Sequence, residues 1–156
     1  MSKIVQTLRD KQFKISFIES VTGGALAAYL VNQPTASLVF EESFVTYSNR
    51  AKERFGVTKA LIDKYTLVSK EVVKQMVYGL KRVTNANVCI AITGNAGPTF
   101  QKDTKELVSY AAFLVNDELI VKEYLIERKT KRTKVIKLLT KLVFEELEKI
   151  LSLEKN

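Results

Sequence analysis

The chain has 156 residues, of which 46% are hydrophobic and 27% charged, and a formal net charge of +8. This size and composition indicate one globular domain over residues 1–156, long enough to bury about two-thirds of its unfolded surface. Apolar runs stay below the ~18 residues of a membrane span, and the polar first residues are unlike a signal peptide. We therefore expect a cytoplasmic protein with no membrane segment.

Two residue types exclude whole classes of site. The sequence has no histidine, which excludes Ser-His-Asp triads, Cys-His pairs and histidine-ligated metals. It has one cysteine, Cys89, within the apolar run 88–92. A disulfide within one chain is excluded, and this pattern is typical of a cysteine that is buried as a small hydrophobic side chain.

The first half of the chain alternates helical and strand patterns. The predicted elements are a helix over 2–11, a strand over 14–19, a helix over 22–32, a short segment over 34–40, a strand over 42–47, a helix from a Ser48 or Asn49 cap to Arg54, and a helix over 58–64. The helix 22–32 is apolar nearly all round, so we expect it to be buried on all sides.

The second half predicts a helix capped by Ser69, a continuous apolar strand over 87–93 and a polar loop over 98–105. A hairpin over 107–115 and 119–126 and a helix over 131–153 follow. This alternation predicts an α/β fold, a three-layer α/β/α sandwich on a mixed, mostly parallel sheet with one antiparallel hairpin strand. Ligands of such sheets bind beyond the carboxyl ends of the strands.

The stretch that follows the first predicted strand is a candidate anion or oxyanion site. Ser20 lies where a strand turns into a helix, and Thr22 is the better N-cap, which leaves Ser20 without a local role. Gly23 and Gly24 let a ligand approach the backbone closely. Free amides beside a serine hydroxyl form a plausible oxyanion hole, although an ordinary capping serine is the simpler alternative.

A second stretch repeats the same order of residues after the strand 87–93. Thr93, Gly94 and Asn95 follow an apolar run, and four of the six glycines in the chain lie in these two stretches. Because both stretches follow strands, we expect them to lie at the same edge of the sheet.

A serine nucleophile needs a base, and without histidine the main alternative is a lysine with a lowered pKa. Lys52 lies in the first turn of the helix that follows Asn49, where the helix dipole favours the neutral amine. Tyr47, at the end of the preceding strand, could relay a proton or position the hydroxyl. The alternative for Lys52 is a solvated surface lysine.

The segment 128–141 carries seven basic side chains and no acidic one. One interpretation is a nucleic-acid-binding patch. The other is the solvated face of a long helix, which we favour because exposed aromatic residues do not interleave with the basic ones and acidic residues return at Glu145. Some of this charge would also suit an anionic small substrate.

Five blocks of sequence, taken together, resemble the C-terminal domain of the competence/damage-inducible protein CinA, a family that includes nicotinamide mononucleotide deamidases. The blocks lie at residues 19–24, 34–37, 45–52, 67–69 and 92–98. The resemblance extends over roughly residues 4 to 150.

The resemblance implies an amidohydrolase that forms nicotinate mononucleotide and ammonia, with no metal and no cofactor. It implies Ser20 as the nucleophile, with Tyr47 and Lys52 assisting, and a homo-oligomeric assembly.

It also implies that Thr22, Gly23 and Gly24 contact the substrate, and that the loop from Thr93 to Pro98 lines the nucleotide site. Arg132 is the nearest match to the arginine that holds the substrate phosphate, with Arg128 as the alternative.

The sequence differs from the family pattern over Thr99 to Ser109, which contains no glycine where the family has a glycine-rich continuation. The alternative function is therefore a family member that binds a mononucleotide or nucleic acid without turnover. Amide hydrolysis on a related substrate is a third hypothesis.

Overall fold

A computed structural model describes residues 3–99 and 106–154 of the chain. Its helices are α1 (Lys3–Asp10), α2 (Ala25–Val31), α3 (Asn49–Glu53), α4 (Lys59–Tyr65), α5 (Lys70–Val83) and α6 (Arg132–Leu153). Its strands are β1 (Ile15–Glu19), β2 (Phe40–Val45), β3 (Val88–Gly94), β4 (Glu106–Val115) and β5 (Glu118–Glu127), and a single 3-10 turn covers Ala36–Leu38. The predicted elements are confirmed in order and type. Most of the predicted polar loop, residues 100–105, lies outside the described residues.

The five strands form one mixed sheet in the order β2-β1-β3-β4-β5. Strand β1 pairs in parallel with both β2 and β3, whereas β4 pairs antiparallel with β3 and with β5. Four strands therefore run in one direction and β4 runs against them, as predicted. The carboxyl ends of β1, β2 and β3 consequently meet at one edge of the sheet.

Helices cover both faces of the sheet, which gives the predicted three layers. On one face α1, α2 and α6 enclose the larger apolar cluster, which includes Phe17. On the other face α5 and the segment after α3 enclose the second cluster, which includes Ile18. Consecutive residues of β1 alternate between these clusters because side chains of a strand point to opposite faces. All five residues of β1 are buried, since this strand is central and covered on both sides.

Turn and cap residues set the ends of the elements. Asn116 and Asp117 have φ of 45° and 71°, the left-handed pair that a tight β4–β5 hairpin requires. The Ser48 hydroxyl accepts the amide of Ala51, so Ser48 rather than Asn49 caps α3. Among residues 3–99 and 106–154, no helix combines the length and the hydropathy that crossing a membrane needs.

The prediction that the second helix is buried on all sides is wrong. Leu26 and Leu30 are buried, but Tyr29 is 41% exposed and Val31 58% exposed. Helix α2 lies beside α6 on one face of the sheet, so only the sides toward the sheet and toward α6 are covered.

Candidate active site

The chain between β1 and α2 forms two overlapping turns. The Gly23 amide donates to the Ser20 carbonyl at 3.0 Å, and the Ala25 amide donates to the Thr22 carbonyl at 3.1 Å. Gly23 and Gly24 have φ of 59° and 103°, a left-handed conformation that favours glycine. The glycine pair is thus needed for the backbone path that presents Ser20 at the sheet edge.

The side chain of Glu19 stabilises this segment through hydrogen bonds. Its side chain is fully buried, and its carboxylate accepts the Thr22 hydroxyl at 2.7 Å, the Leu26 amide at 2.9 Å and the Ala27 amide at 3.1 Å. The Ser43 hydroxyl donates to the same carboxylate at a longer 3.4 Å. Because the amides of the first turn of α2 are satisfied by Glu19, the prediction that Thr22 is the N-cap is wrong.

The same turns determine which amides of this segment already have an acceptor. The Gly23 amide, predicted as an oxyanion donor, is already bonded to Ser20, so it is not free. Within residues 3–99 and 106–154, the amides of Val21, Thr22 and Gly24 have no acceptor. A Cβ built on Gly23 would meet no atom within 4 Å, so a ligand has room to approach the backbone here.

The strand register places three hydroxyl-bearing residues side by side. The last paired residue of β1 is Glu19, which lies opposite Val45 of β2 and Ile92 of β3. One position further on, Ser20 therefore lies between Thr46 and Thr93, at strand spacings of about 4.8 Å.

All three hydroxyl-bearing residues are buried. Ser20 Oγ takes part in no hydrogen bond among the described residues, and the buried Thr46 Oγ1 likewise has no partner there. The Thr93 hydroxyl donates weakly to the Leu67 carbonyl at 3.4 Å. Ser20 is thus available for chemistry, beside a second unbonded hydroxyl.

Lys52 enters the site from α3 and is fully buried. Its Nζ donates to the carbonyl of Thr46 at 2.6 Å and to that of Tyr47 at 3.2 Å. Burial lowers its pKa from 10.5 to about 8, since desolvation disfavours the charged amine. The solvated-lysine alternative is therefore wrong, and the pKa is lowered by burial rather than by the helix dipole on which the prediction relied.

Tyr47 and Arg132 meet at the rim of the site. The Tyr47 ring is 60% exposed, and its hydroxyl accepts from Nη2 of Arg132 at 2.7 Å. The other terminal nitrogen of Arg132, Nη1, donates to the Gly97 carbonyl at 2.6 Å. Arg132 thus joins the end of β2 to the loop after β3.

The loop after β3 is organised by its own side chains. Asn95 Oδ1 accepts the Gly97 amide at 2.8 Å, and Asn95 Nδ2 donates to the Thr99 carbonyl at 2.8 Å. A Cβ on Gly94 would collide with Ser109 Oγ of β4, so this position requires glycine for packing. The side chain of Asn95 and the small size of Gly94 therefore shape the loop from within.

Sequence reasoning missed Glu19 and Thr46. The signal for Glu19 was an acidic residue close before a helix start, where carboxylates accept free amides. For Thr46, the signal was its position immediately before Tyr47 in a strand parallel to β1. No three His, Cys, Asp or Glu side chains of the described segments converge as metal ligands would.

Comparison with known proteins gives one consistent result. Residues 1–151 match the model of the CinA C-terminal domain. A CinA-like protein of Petrotoga mobilis is 43% identical over 106 residues, which are 67% of this chain and 26% of that protein. A CinA-like protein of Thermotoga neapolitana is 41% identical over 103 residues, 65% of this chain and 25% of that protein. This chain thus spans about a quarter of the length of these curated relatives.

Solved structures of proteins with related names have the same fold as this chain. The competence/damage inducible protein CihA of Agrobacterium tumefaciens superposes with a TM-score of 0.88 and 27% identity, covering 96% of this chain and 92% of that one. The competence damage-inducible protein A (ComA) of Klebsiella pneumoniae superposes with a TM-score of 0.89 at 22% identity, covering 97% and 94%. The second likeness shows the fold alone.

Proposed function

This chain belongs to the CinA C-terminal domain family, and we propose that it is an amidohydrolase that converts nicotinamide mononucleotide and water into nicotinate mononucleotide and ammonia. The observation that carries the proposal is the buried Lys52, with a pKa lowered to about 8. Its Nζ donates to the carbonyl of Thr46, whose amide is bonded to Glu19, the residue before Ser20. An amine of this pKa is half neutral near pH 8 and can accept a proton there.

In the first step, neutral Lys52 takes the Ser20 hydroxyl proton while Ser20 Oγ attacks the carboxamide carbon. The tetrahedral intermediate collapses when its C–N bond breaks, and Lys52 returns the proton to the departing ammonia. Water, deprotonated by the same amine, then cleaves the Ser20 ester and releases the carboxylate. The proton would pass between Ser20 and Lys52 directly or through Tyr47, whose hydroxyl accepts from Arg132 in this structure.

The oxyanion would be held by the free amides of the Ser20–Gly24 turn. Those of Val21, Thr22 and Gly24 are unbonded among the described residues, which supports this role. Loss of one such donor costs other hydrolases roughly 3 kcal/mol of transition-state stabilisation. The unpartnered Thr46 hydroxyl would bond the carboxamide or the attacking water, since a buried hydroxyl without a partner is costly.

Arg132 would hold the substrate phosphate at the rim. Its guanidinium makes two neutral-acceptor hydrogen bonds, to Tyr47 and Gly97, in this structure. A phosphate offers stronger, charge-assisted bonds and would replace one or both. That exchange would free the Tyr47 hydroxyl, so phosphate binding and the orientation of Tyr47 would be linked.

The test is ammonia release from nicotinamide mononucleotide by the purified chain, with Ser20→Ala and Lys52→Met as variants. We expect each variant to lower kcat by at least about 10³-fold, because loss of a nucleophile or its base disables the catalytic unit. Ser152→Ala, on the exposed far end of α6, is the matched control and should keep full activity. Absence of release by the unaltered chain, or undiminished release by Ser20→Ala, would rule the proposal out.

A second candidate is nucleic-acid binding without turnover, favoured by the exposure of the basic segment. All seven basic side chains between 128 and 141 are exposed, and most lie on the first three turns of α6. Gel-shift with single- and double-stranded DNA at several salt concentrations tests it. Salt-steep association without ammonia release would support this candidate over the amidohydrolase.

A further inference from the structure

One backbone carbonyl after α3, that of Phe55, lies in a cradle formed by α5. Nε2 of Gln75 and Nη2 of Arg82 each donate to this carbonyl at 3.2 Å. Gly79 is between these two positions in the helix, and a Cβ there would collide with the Phe55 carbonyl oxygen and lie 2.7 Å from the Cβ of Phe55. The three positions are spaced by four and three residues, so they share one stripe of α5. We call Gln75, Gly79 and Arg82 the carbonyl cradle.

Phe55 is also held by the sheet and by its own turn. It is buried, and its ring packs on Phe44 of β2 with ring centroids 5.0 Å apart. Its amide donates to the Lys52 carbonyl at 2.9 Å, and the Val57 amide donates to the same carbonyl at 3.3 Å. The end of α3 is therefore a closed turn whose position depends on the contact between Phe55 and α5.

Lys52 belongs to this closed turn and reaches the site from it. Its Nζ donates to the carbonyls of Thr46 and Tyr47, which follow β2, at 2.6 and 3.2 Å. The backbone of Lys52 is thus bonded to Phe55, and its side chain is bonded to the segment after β2. A displacement of Phe55 would therefore move Lys52 relative to that segment and open its buried side chain to water.

We propose that Gly79 is a positioning residue for Lys52, because its lack of a side chain sets how closely the end of α3 approaches α5. The inference rests on the proposed function, in which Lys52 is the base. Carbon atoms in ordinary contact lie about 3.5 Å apart, so a side chain at position 79 would push Phe55 away by roughly 1 Å. A misplacement of that size is enough to disturb a catalytic geometry.

Burial is the property of Lys52 that the carbonyl cradle would control. Desolvation is the cause of the lowered pKa of Lys52. The titratable group on the segment after β2 is Tyr47, of which Lys52 contacts the backbone carbonyl. The charged residues that flank Lys52 along the chain and the charged member of the cradle are all exposed: Arg50, Glu53, Arg54 and Arg82. If α3 moves away from α5, water reaches the amine, and the pKa of Lys52 rises toward its ordinary value.

An NMR titration of the Lys52 side chain in Gly79→Ala tests the proposal without an activity assay. The Cε resonance of Lys52 is assigned by its loss in Lys52→Met and is followed against pH. We expect the pKa of Lys52 to be about 8 in the unaltered chain and to rise toward 10.5 in Gly79→Ala. The rate should follow the same change, so kcat/KM at pH 7 falls about tenfold while kcat/KM at high pH falls much less. A role of Gly79 in stability alone would not move the titration.

Gln75→Met is the second variant and decides the question if Gly79→Ala does not fold. It removes one donor from the cradle without a clash or a change of charge, and it should raise the pKa of Lys52 by a smaller amount.

Leu147→Ala is the control, because it opens a cavity in the core on the other face of the sheet and leaves the cradle intact. Its Lys52 should titrate as in the unaltered chain. An unmoved pKa of Lys52 in either folded cradle variant, or an equal rise in Leu147→Ala, would overturn the proposal. Absence of ammonia release by the unaltered chain would instead count against the proposed function, and the titration would still report whether the cradle positions Lys52.

Discussion

The turns after β1 and β3 begin with the same local sequence, an apolar strand followed within a few residues by threonine and glycine, and they differ in what holds them. The first is held by the buried Glu19 carboxylate, which reaches forward to the first turn of α2. The second is held by the Asn95 side chain and, from outside, by Arg132. The first turn is therefore held by a residue at the end of its own strand, whereas the second is held both by its own Asn95 and by a residue of a later helix.

The element that follows each turn determines which groups of the turn need hydrogen-bond partners. Helix α2 follows the first turn, so its amides need a carboxylate, and that carboxylate fixes the position of Ser20. No helix follows the second turn within residues 94–99. Under the proposed function, the first turn would carry the chemistry and the second would contact the substrate.

Glu19→Ala should destabilise the first turn, and we expect it to cause the largest loss of stability among these substitutions. It leaves the Thr22 hydroxyl and the amides of Leu26 and Ala27 without an acceptor in a buried site. We expect the free energy of unfolding to fall by about 3–5 kcal/mol. Urea unfolding measures this loss. The exposed Glu53→Ala is the control and should change stability by less than about 0.5 kcal/mol. A loss below about 1 kcal/mol for Glu19→Ala would contradict the holding role.

Gly94→Ala and Gly23→Ala compare the glycines of the two turns. Gly94→Ala drives a Cβ into Ser109, so we expect a loss of about 2–3 kcal/mol in the free energy of unfolding. Gly23→Ala meets no atom and should lose only about 1 kcal/mol, from its left-handed φ. Adding Ser109→Gly should restore part of the first loss and none of the second. Equal losses for the two glycines would contradict the distinction.

The pH dependence of the reaction rate tests whether Lys52 is the catalytic base beside the first turn. If neutral Lys52 is the base, kcat/KM should rise about tenfold per pH unit below pH 8 and level off above it. A pH–rate profile from pH 6 to 9.5 measures this. A profile flat through pH 8 would exclude Lys52 as the titrating base.

The lowered pKa of Lys52 also predicts that stability depends on pH, which can be measured without an activity assay. The folded-state pKa of about 8 lies below the ordinary 10.5, so the folded chain loses this proton before the unfolded chain does. Stability attributable to Lys52 is therefore lowest below pH 8 and rises above it. Relative to Lys52→Met, the unaltered chain should gain about 2 kcal/mol between pH 8 and 9.5. A gain of zero would mean that the buried amine is not perturbed.

Arg132→Gln tests the second turn, because it removes the bond to the Gly97 carbonyl. We expect KM for nicotinamide mononucleotide to rise about tenfold or more while kcat changes less, because a phosphate contact is made in the ground state as well as in the transition state. Arg128→Gln removes the same charge four residues earlier and should leave KM nearly unchanged. The reverse outcome would assign the phosphate to Arg128.

The order and type of every described α-helix and strand could be predicted, because hydrophobic periodicity and capping residues such as Ser69 act locally. The grouping of Ser20, Tyr47 and Lys52 at one sheet edge also follows from local signals, since each lies at or just after a strand end. Their catalytic roles stay predictions.

The rest depends on contacts between distant segments. That Glu19 turns toward amides seven and eight residues later depends on how α2 packs on the sheet. The contact between Arg132 and Tyr47 joins positions 85 residues apart. The exposed side of α2 could not be predicted because Tyr29 and Val31 are apolar residues that the sequence alone assigns to a core.

The position of Arg132 has a consequence for synthesis of the chain. The helix that carries it follows all five strands, so Tyr47 and Gly97 are made well before the side chain that joins them. A nascent chain whose sheet is already paired would still lack this link until α6 left the ribosome. The rim of the site is therefore completed late in synthesis.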